Sequence, residues 1–126
     1  MRVLVDTSVW IRFLGGREPY ATGLDELLRR DEVVGHEMVY GELLIGDRGG
    51  RAKLLTAYAQ MYQAAAVPHA ELVQFVRDRR LFGRGVGWVD IHLLASAMVG
   101  RLQLWTADPR FAAAALELGL GYARNG

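Results

Sequence analysis

The sequence predicts an α/β fold, a three-layer α/β/α domain built on a short parallel sheet, and three observations carry that expectation. Short apolar runs with the β-branched or aromatic character of strands recur at residues 3–5, 33–35 and 102–105. Stretches with the three- and four-residue apolar spacing of helices separate them. Strands that alternate with helices pair in parallel through right-handed crossovers, which lays helices on the faces of the sheet. At 126 residues and 52% hydrophobic content the chain suits one compact domain, expected over residues 1–126.

The first strand, Val3-Leu4-Val5, is followed by Thr7 or Ser8 as a helix cap before Val9, Trp10, Ile11, Phe13 and Leu14. Gly15-Gly16 stops that helix, and Leu24, Leu27 and Leu28 define a second one ending near Arg29-Arg30. After a brief strand at Val33-Val34-Gly35, residues 38–45 form a third helix, closed by Gly46 and the turn Asp47-Arg48-Gly49-Gly50. Leu54, Leu55, Tyr58, Met61 and Tyr62 line a fourth, and residues 64–67 a weak strand. Pro68 suits the entry to a helix with Leu72, Val73, Val76 and Leu81 on its apolar face. Gly83-Arg84-Gly85-Val86-Gly87 reads as a flexible connector; a phosphate loop would need a strand before it and Gly-Lys-Ser/Thr after it. Residues 88–99 are apolar almost all round, the mark of a helix buried on most sides. A strand at 102–105, an alanine-rich helix at 109–118 and an edge strand at 120–123 complete the order. Trp10, Trp88 and Trp105 all lie in apolar runs and are expected in the core.

Charged residues make up 23% of the chain at a formal net charge of +1, neither the excess of a disordered segment nor the basicity of a nucleic-acid coat. Fourteen Arg stand against the single Lys53. The guanidinium fork suits bidentate phosphate contacts, and a GC-rich genome produces the same bias. The lack of cysteine excludes disulfide frameworks and thiolate zinc sites. Asp6 interrupts the N-terminal apolar run well before the length of a signal-peptide core. Nowhere do about 18 apolar residues run together without a charge. A soluble, cytoplasmic protein with no membrane contact is expected.

In open parallel sheets, ligands bind beyond the carboxyl ends of the strands. Asp6 directly ends the first strand and Asp108 follows Thr106 by two residues, so both point at one crevice; a plain turn former is the alternative for Asp6. Glu42 has Met38, Val39 and Ile45 as helical neighbours, which sets a carboxylate in an apolar stripe. A buried charge must be paired, hydrogen-bonded or bound to a metal, and an ion pair with an Arg is the alternative there. Asp90 stands near the start of the most apolar helix, with Leu93, Leu94 and Ala97 on its face. Favourable interaction with the helix dipole, roughly 0.3–1 kcal/mol, would also account for it. Asp108 precedes Pro109 and would equally make a good N-cap. The fold would bring all four acids to one end of the sheet. Their mutual repulsion calls for a cation, and all-oxygen donors at an open site favour Mg²⁺ or Mn²⁺. A divalent ion so held orients a water, lowers its pKa and clamps a phosphodiester; one ion or two would serve.

These residues carry a family resemblance. Val3-Leu4-Val5-Asp6-Thr7-Ser8-Val9-Trp10, Tyr40-Gly41-Glu42-Leu43, Val89-Asp90-Ile91-His92-Leu93-Leu94-Ala95 and Thr106-Ala107-Asp108-Pro109-Arg110-Phe111 together resemble the PIN domain, in particular toxins of the VapC type, from end to end of the chain. The resemblance implies a parallel sheet with acids at its carboxyl edge, Mg²⁺- or Mn²⁺-dependent cleavage of RNA, homodimerisation and inhibition by a cognate antitoxin. It implies Asp6, Glu42, Asp90 and Asp108 as catalytic and metal-holding positions, with Thr7 or Ser8 and Thr106 as polar supports. Arg77, Arg79 and Arg80, with Arg84 close behind, form the candidate RNA-contacting patch; a solvated helix face is the alternative.

Two rivals are weaker. A metal-dependent phosphatase on a related α/β scaffold would want a second acid near Asp6 and a later lysine, whereas Ser8 stands two residues on and Lys53 is the only lysine. A catalytically inert binding module would have no use for four intact acids. His36, His69 and His92 show no ligand spacing, and no serine has a nucleophile-elbow context.

Overall fold

The structure is a computed structural model and describes residues 2–123. Strand β1 (Val3–Val5) leads into helices α1 (Thr7–Leu14) and α2 (Tyr20–Arg29), then strand β2 (Val33–Val34). Helices α3 (Glu37–Ile45), α4 (Ala52–Gln60), α5 (His69–Arg79) and α6 (Trp88–Gly100) follow, then strand β3 (Gln103–Trp105) and helix α7 (Pro109–Glu117). The strands form one parallel sheet in the order β2-β1-β3, with Val3 opposite both Val33 and Gln103. The chain steps from β1 to β2 in one direction and from β2 back past β1 to β3 in the other. Crossovers of one hand taken in opposite directions lie on opposite faces, so the helices sandwich the sheet.

Burial on both faces explains why β1 is a continuous apolar run, with every residue in the core. Trp10 meets Tyr58 edge-on with ring centroids 5.4 Å apart, and Tyr20 stacks on Trp105 at 6.0 Å. Helix α6 buries Ile91 and every residue from 93 to 97. Arg101 closes it in the left-handed conformation (φ 54°), which lets the Leu102 N–H return to the Ala97 carbonyl at 2.9 Å. Leu93→Ala would therefore leave a cavity at the centre of the fold, at a cost of about 2–5 kcal/mol. No helix among the described residues is long and apolar enough to cross a membrane.

Four expectations need correction. The weak strand at 64–67 shrinks to a single bridge from Gln63 to Gly35, and the edge strand at 120–123 to one from Gly121 to Leu104. Each segment meets the sheet for one residue and turns away. The hydroxyl cap expected at Thr7 or Ser8 is not used, because α1 already begins at Thr7 with Asp6 in the cap position. Trp10 and Trp105 are buried, but Trp88 is 44% exposed, since the first turn of α6 stands clear of the layer that covers its middle.

Candidate active site

The carboxyl ends of β1 and β3 meet where the strand order reverses about β1. Asp6 leaves β1 at that point, its peptide N–H donating to the Trp105 carbonyl at 2.9 Å. It holds the N-cap position of α1, yet its carboxylate caps nothing. Asp6 Oδ2 instead accepts the hydroxyls of Ser8 (2.6 Å) and Thr106 (2.8 Å). Those two oxygens in turn accept the peptide N–H groups of Ala107 (3.0 Å) and Asp108 (3.1 Å). Both hydroxyl protons are spent on Asp6, so the 3.3 Å between Ser8 Oγ and Thr106 Oγ1 is a contact and not a further bond. Relays from backbone through hydroxyl to carboxylate polarise each link, and here they fix a carboxylate that is only 6% exposed.

Asp108 caps α7, its Oδ1 accepting the Arg110 N–H at 2.9 Å with Pro109 in the first helical position. The sequence allowed that structural use, and the chain makes it. Asp90, the third residue of α6, reaches back to the Gly87 N–H at 3.0 Å through Oδ2. Burial pushes its carboxyl up to about 6, against the lowering effect of that N–H, and the negative charges of Asp6, Asp108 and Glu42 push the same way as burial. The charges of the other three acids are thus all felt at Asp90.

Glu42 arrives there by a route the sequence misread. Helix α3 is apolar on every side, but only Val39 and Leu43 are buried, while Leu44 is 52% and Ile45 88% exposed. Of the stripe around Glu42, Val39 is buried, Met38 is half-buried and Ile45 is exposed; Glu42 itself is exposed, and the argument from the cost of a buried charge falls. What ties it to the cluster is Thr7, whose hydroxyl donates to Oε1 at 2.6 Å.

Arg77 and Arg79 are exposed in the last turn of α5, and Arg80 closes it in the left-handed conformation (φ 52°). Arg84 instead pairs with Glu117 of α7 at 2.5 Å. The glycine-rich segment that follows carries the Gly87 N–H that holds Asp90, a role its composition did not signal.

His36 was also missed. Its Nδ1 accepts the Met38 N–H at 3.0 Å and so caps α3, the helix of Glu42. That leaves Nε2 to donate to Ser96 Oγ at 2.9 Å, whose own proton goes to the Ala65 carbonyl at 2.8 Å. Burial pushes the imidazole below its usual value, in keeping with this neutral tautomer. Histidine is not among the usual N-cap residues, so its place before α3 carries no readable signal.

The donor set is all oxygen and carries more negative charge than its surroundings offset, which fits a hard divalent cation. Among the described residues no three of these groups already close around a common point.

Comparison with known proteins agrees with this geometry. The sequence matches the PIN domain family over residues 3–117. It is 44% identical over 124 residues to Ribonuclease VapC32 of Mycobacterium tuberculosis (strain CDC 1551 / Oshkosh), an alignment covering 98% of each chain. The same figures hold for Ribonuclease VapC32 of strain ATCC 25618 / H37Rv. With the fold, the acidic edge of the sheet and matches of this extent, the chain belongs to the PIN domain family.

Proposed function

We propose that this protein is a metal-dependent endoribonuclease, the toxin of a toxin–antitoxin pair, formed by one nuclease domain over residues 1–126 and acting in the cytoplasm as a homodimer. The observation that carries the nuclease reading is the Asp90 carboxyl, raised by burial and by three neighbouring acids at the carboxyl edge of the sheet. The toxin reading, with RNA as substrate and a cognate antitoxin as partner, rests on the likeness to Ribonuclease VapC32. PIN-domain ribonucleases depend in general on a divalent metal, and Mg²⁺ or Mn²⁺ is the ion proposed here.

Asp6, Asp90, Asp108 and Glu42 would hold that ion. When bound, it supplies a water of lowered pKa and a clamp on the phosphodiester. Asp6 brings a carboxylate already oriented by Ser8 and Thr106, so little reorganisation is needed when charge develops. Asp90, whose charge is disfavoured by burial and by the neighbouring acids, is the carboxylate that a bound cation would relieve most. Glu42 is exposed and steadied by the Thr7 hydroxyl. Arg77, Arg79 and Arg80 offer exposed cations to the RNA backbone, whereas Arg84 would first have to leave Glu117.

The direct test is incubation of purified protein with single-stranded and structured RNAs in Mg²⁺, in Mn²⁺ and in chelator. Cleavage with either ion and none in chelator is expected; full cleavage in chelator would overturn the mechanism. Expression without a partner should arrest growth, and Glu42→Gln should relieve the arrest. Harmless expression of an active protein would remove the toxin assignment and leave the nuclease.

A further inference from the structure

We propose that the exposed indole of Trp88 is a stacking platform for an unpaired base of the RNA, next to the phosphodiester held at the acids. This rests on the ribonuclease reading and adds to it a site for the nucleobase. Trp10 and Trp105 are at most 1% exposed, so the 44% exposure of Trp88 sets it apart from the other indoles. It is not loose. His69, at the start of α5, lies at 5.5 Å between ring centroids, and His92, one turn along α6, meets it edge-on at 5.6 Å. Two imidazoles from two helices thus pack against an indole that stays 44% exposed.

Its position supplies the link to substrate. Trp88 and Asp90, the first and third residues of α6, stand on opposite sides of its first turn, at the helix end capped by Gly87, whose N–H Asp90 accepts. A nucleotide whose phosphate sits at the acids can set a flanking base on the ring across that helix end. The charge distribution argues for the same occupant. With a net charge of +1 and four acids at the site, this chain has little general attraction for a polyanion, and stacking is a source of affinity that does not depend on charge. Every base has a π-face, so the platform favours single-stranded over duplex RNA without selecting one sequence.

The test uses the whole chain in chelator, titrated with a short single-stranded RNA and with an abasic ribose-phosphate chain of equal charge. Trp88 reports through quenching by acrylamide, which reaches it and not the two buried indoles. The expected result is that RNA shields Trp88 and the abasic chain does not. Trp88→Ala should weaken RNA binding roughly tenfold or more while leaving binding of the abasic chain unchanged, and Trp88→Phe should keep most of the RNA affinity. Equal shielding by the abasic chain, or unchanged RNA affinity in Trp88→Ala, overturns the proposal even if RNA is cleaved with divalent metal. Shielding that follows protein concentration without RNA overturns it as well, by showing that a second copy of the chain covers the ring. Neither binding nor metal-dependent cleavage of RNA would overturn the ribonuclease reading and the platform together.

Discussion

Two aspartates of the same acidic cluster are held in opposite ways. At the end of β1, Asp6 is almost wholly buried and receives two hydroxyls on one oxygen, each backed by a peptide N–H. At the start of α6, Asp90 is half-buried, receives one peptide N–H, and carries a carboxyl pushed up to about 6. Neutral dipoles satisfy the first and the second is left to its acidic neighbours. The contrast divides the labour of a metal site, with a fixed ligand whose geometry is set by the fold beside a charge that only a cation fully relieves.

The largest expected effect comes from removing that second charge. Asp90→Asn keeps the shape and loses the carboxylate, so RNA cleavage should fall below detection while circular dichroism shows the fold intact. Full activity in the folded variant would place the chemistry elsewhere. The other half of the comparison is tested by Ser8→Ala with Thr106→Val, which strips the hydroxyls from Asp6 and leaves its charge. Partners that orient a ligand are worth roughly 10–100-fold in metal affinity or activity, so cleavage should drop within that range and half-maximal activation should need more metal. An unchanged metal requirement would mean that the relay serves the fold alone.

The two halves also differ in how far they could be read from sequence. Val3-Leu4-Val5-Asp6 is legible because an apolar run buried on both faces must break where the chain leaves the sheet, and the polar residue at the break is visible by position. Of the partners of Asp6, Ser8 is two residues away and Thr106 a hundred, and the family resemblance, not spacing, singles them out. Helix α6 was legible for its all-round apolarity, and Asp90 as the acid that interrupts it. Glu42 was chosen for the wrong physical reason. The apolar residues of α3 are spread around the helix and show no preferred face, so nothing in its pattern says that Leu44 and Ile45 point to solvent. Trp88 failed in the same way, and residues 64–67 failed because one bridge to the sheet leaves no period to detect.

A smaller effect is expected at Asp108, where cap and ligand coincide. Serine caps a helix about as well as aspartate, whereas alanine costs roughly 0.5–2 kcal/mol. Asp108→Ser should melt close to the parent yet need several-fold more Mg²⁺ or Mn²⁺ for activation, because a hydroxyl holds a dication far less well than a carboxylate. Thermal melts and metal titrations of cleavage on the parent, Asp108→Ser and Asp108→Ala separate the two roles. Parent-like activation in Asp108→Ser would leave Asp108 as a cap only.

The smallest effect is on stability, and its sign follows from Asp90. An acid whose pKa is raised on folding binds its proton more tightly in the native state than in the unfolded one, so the native state loses stability as pH rises through that window. For Asp90 the window runs from its ordinary 3.8 to about 6, which leaves the full penalty in place at pH 7. Solvent screens a half-exposed carboxyl, and the penalty is on the order of 1 kcal/mol, or about 4 °C in melting temperature for a chain of this size. Asp90→Asn carries no such penalty. In chelator at pH 7 it should melt about 4 °C above the parent. That difference should shrink as the pH is lowered and vanish once Asp90 is protonated in both states. Asp6, Glu42 and Asp108 are common to both proteins, so the difference isolates Asp90. Divalent metal at pH 7 should raise the melting temperature of the parent more than that of the variant, since it relieves a repulsion the variant lacks. A variant that melts below the parent at every pH would show that Asp90 is satisfied by its own hydrogen bonds, and the contrast with Asp6 would fall.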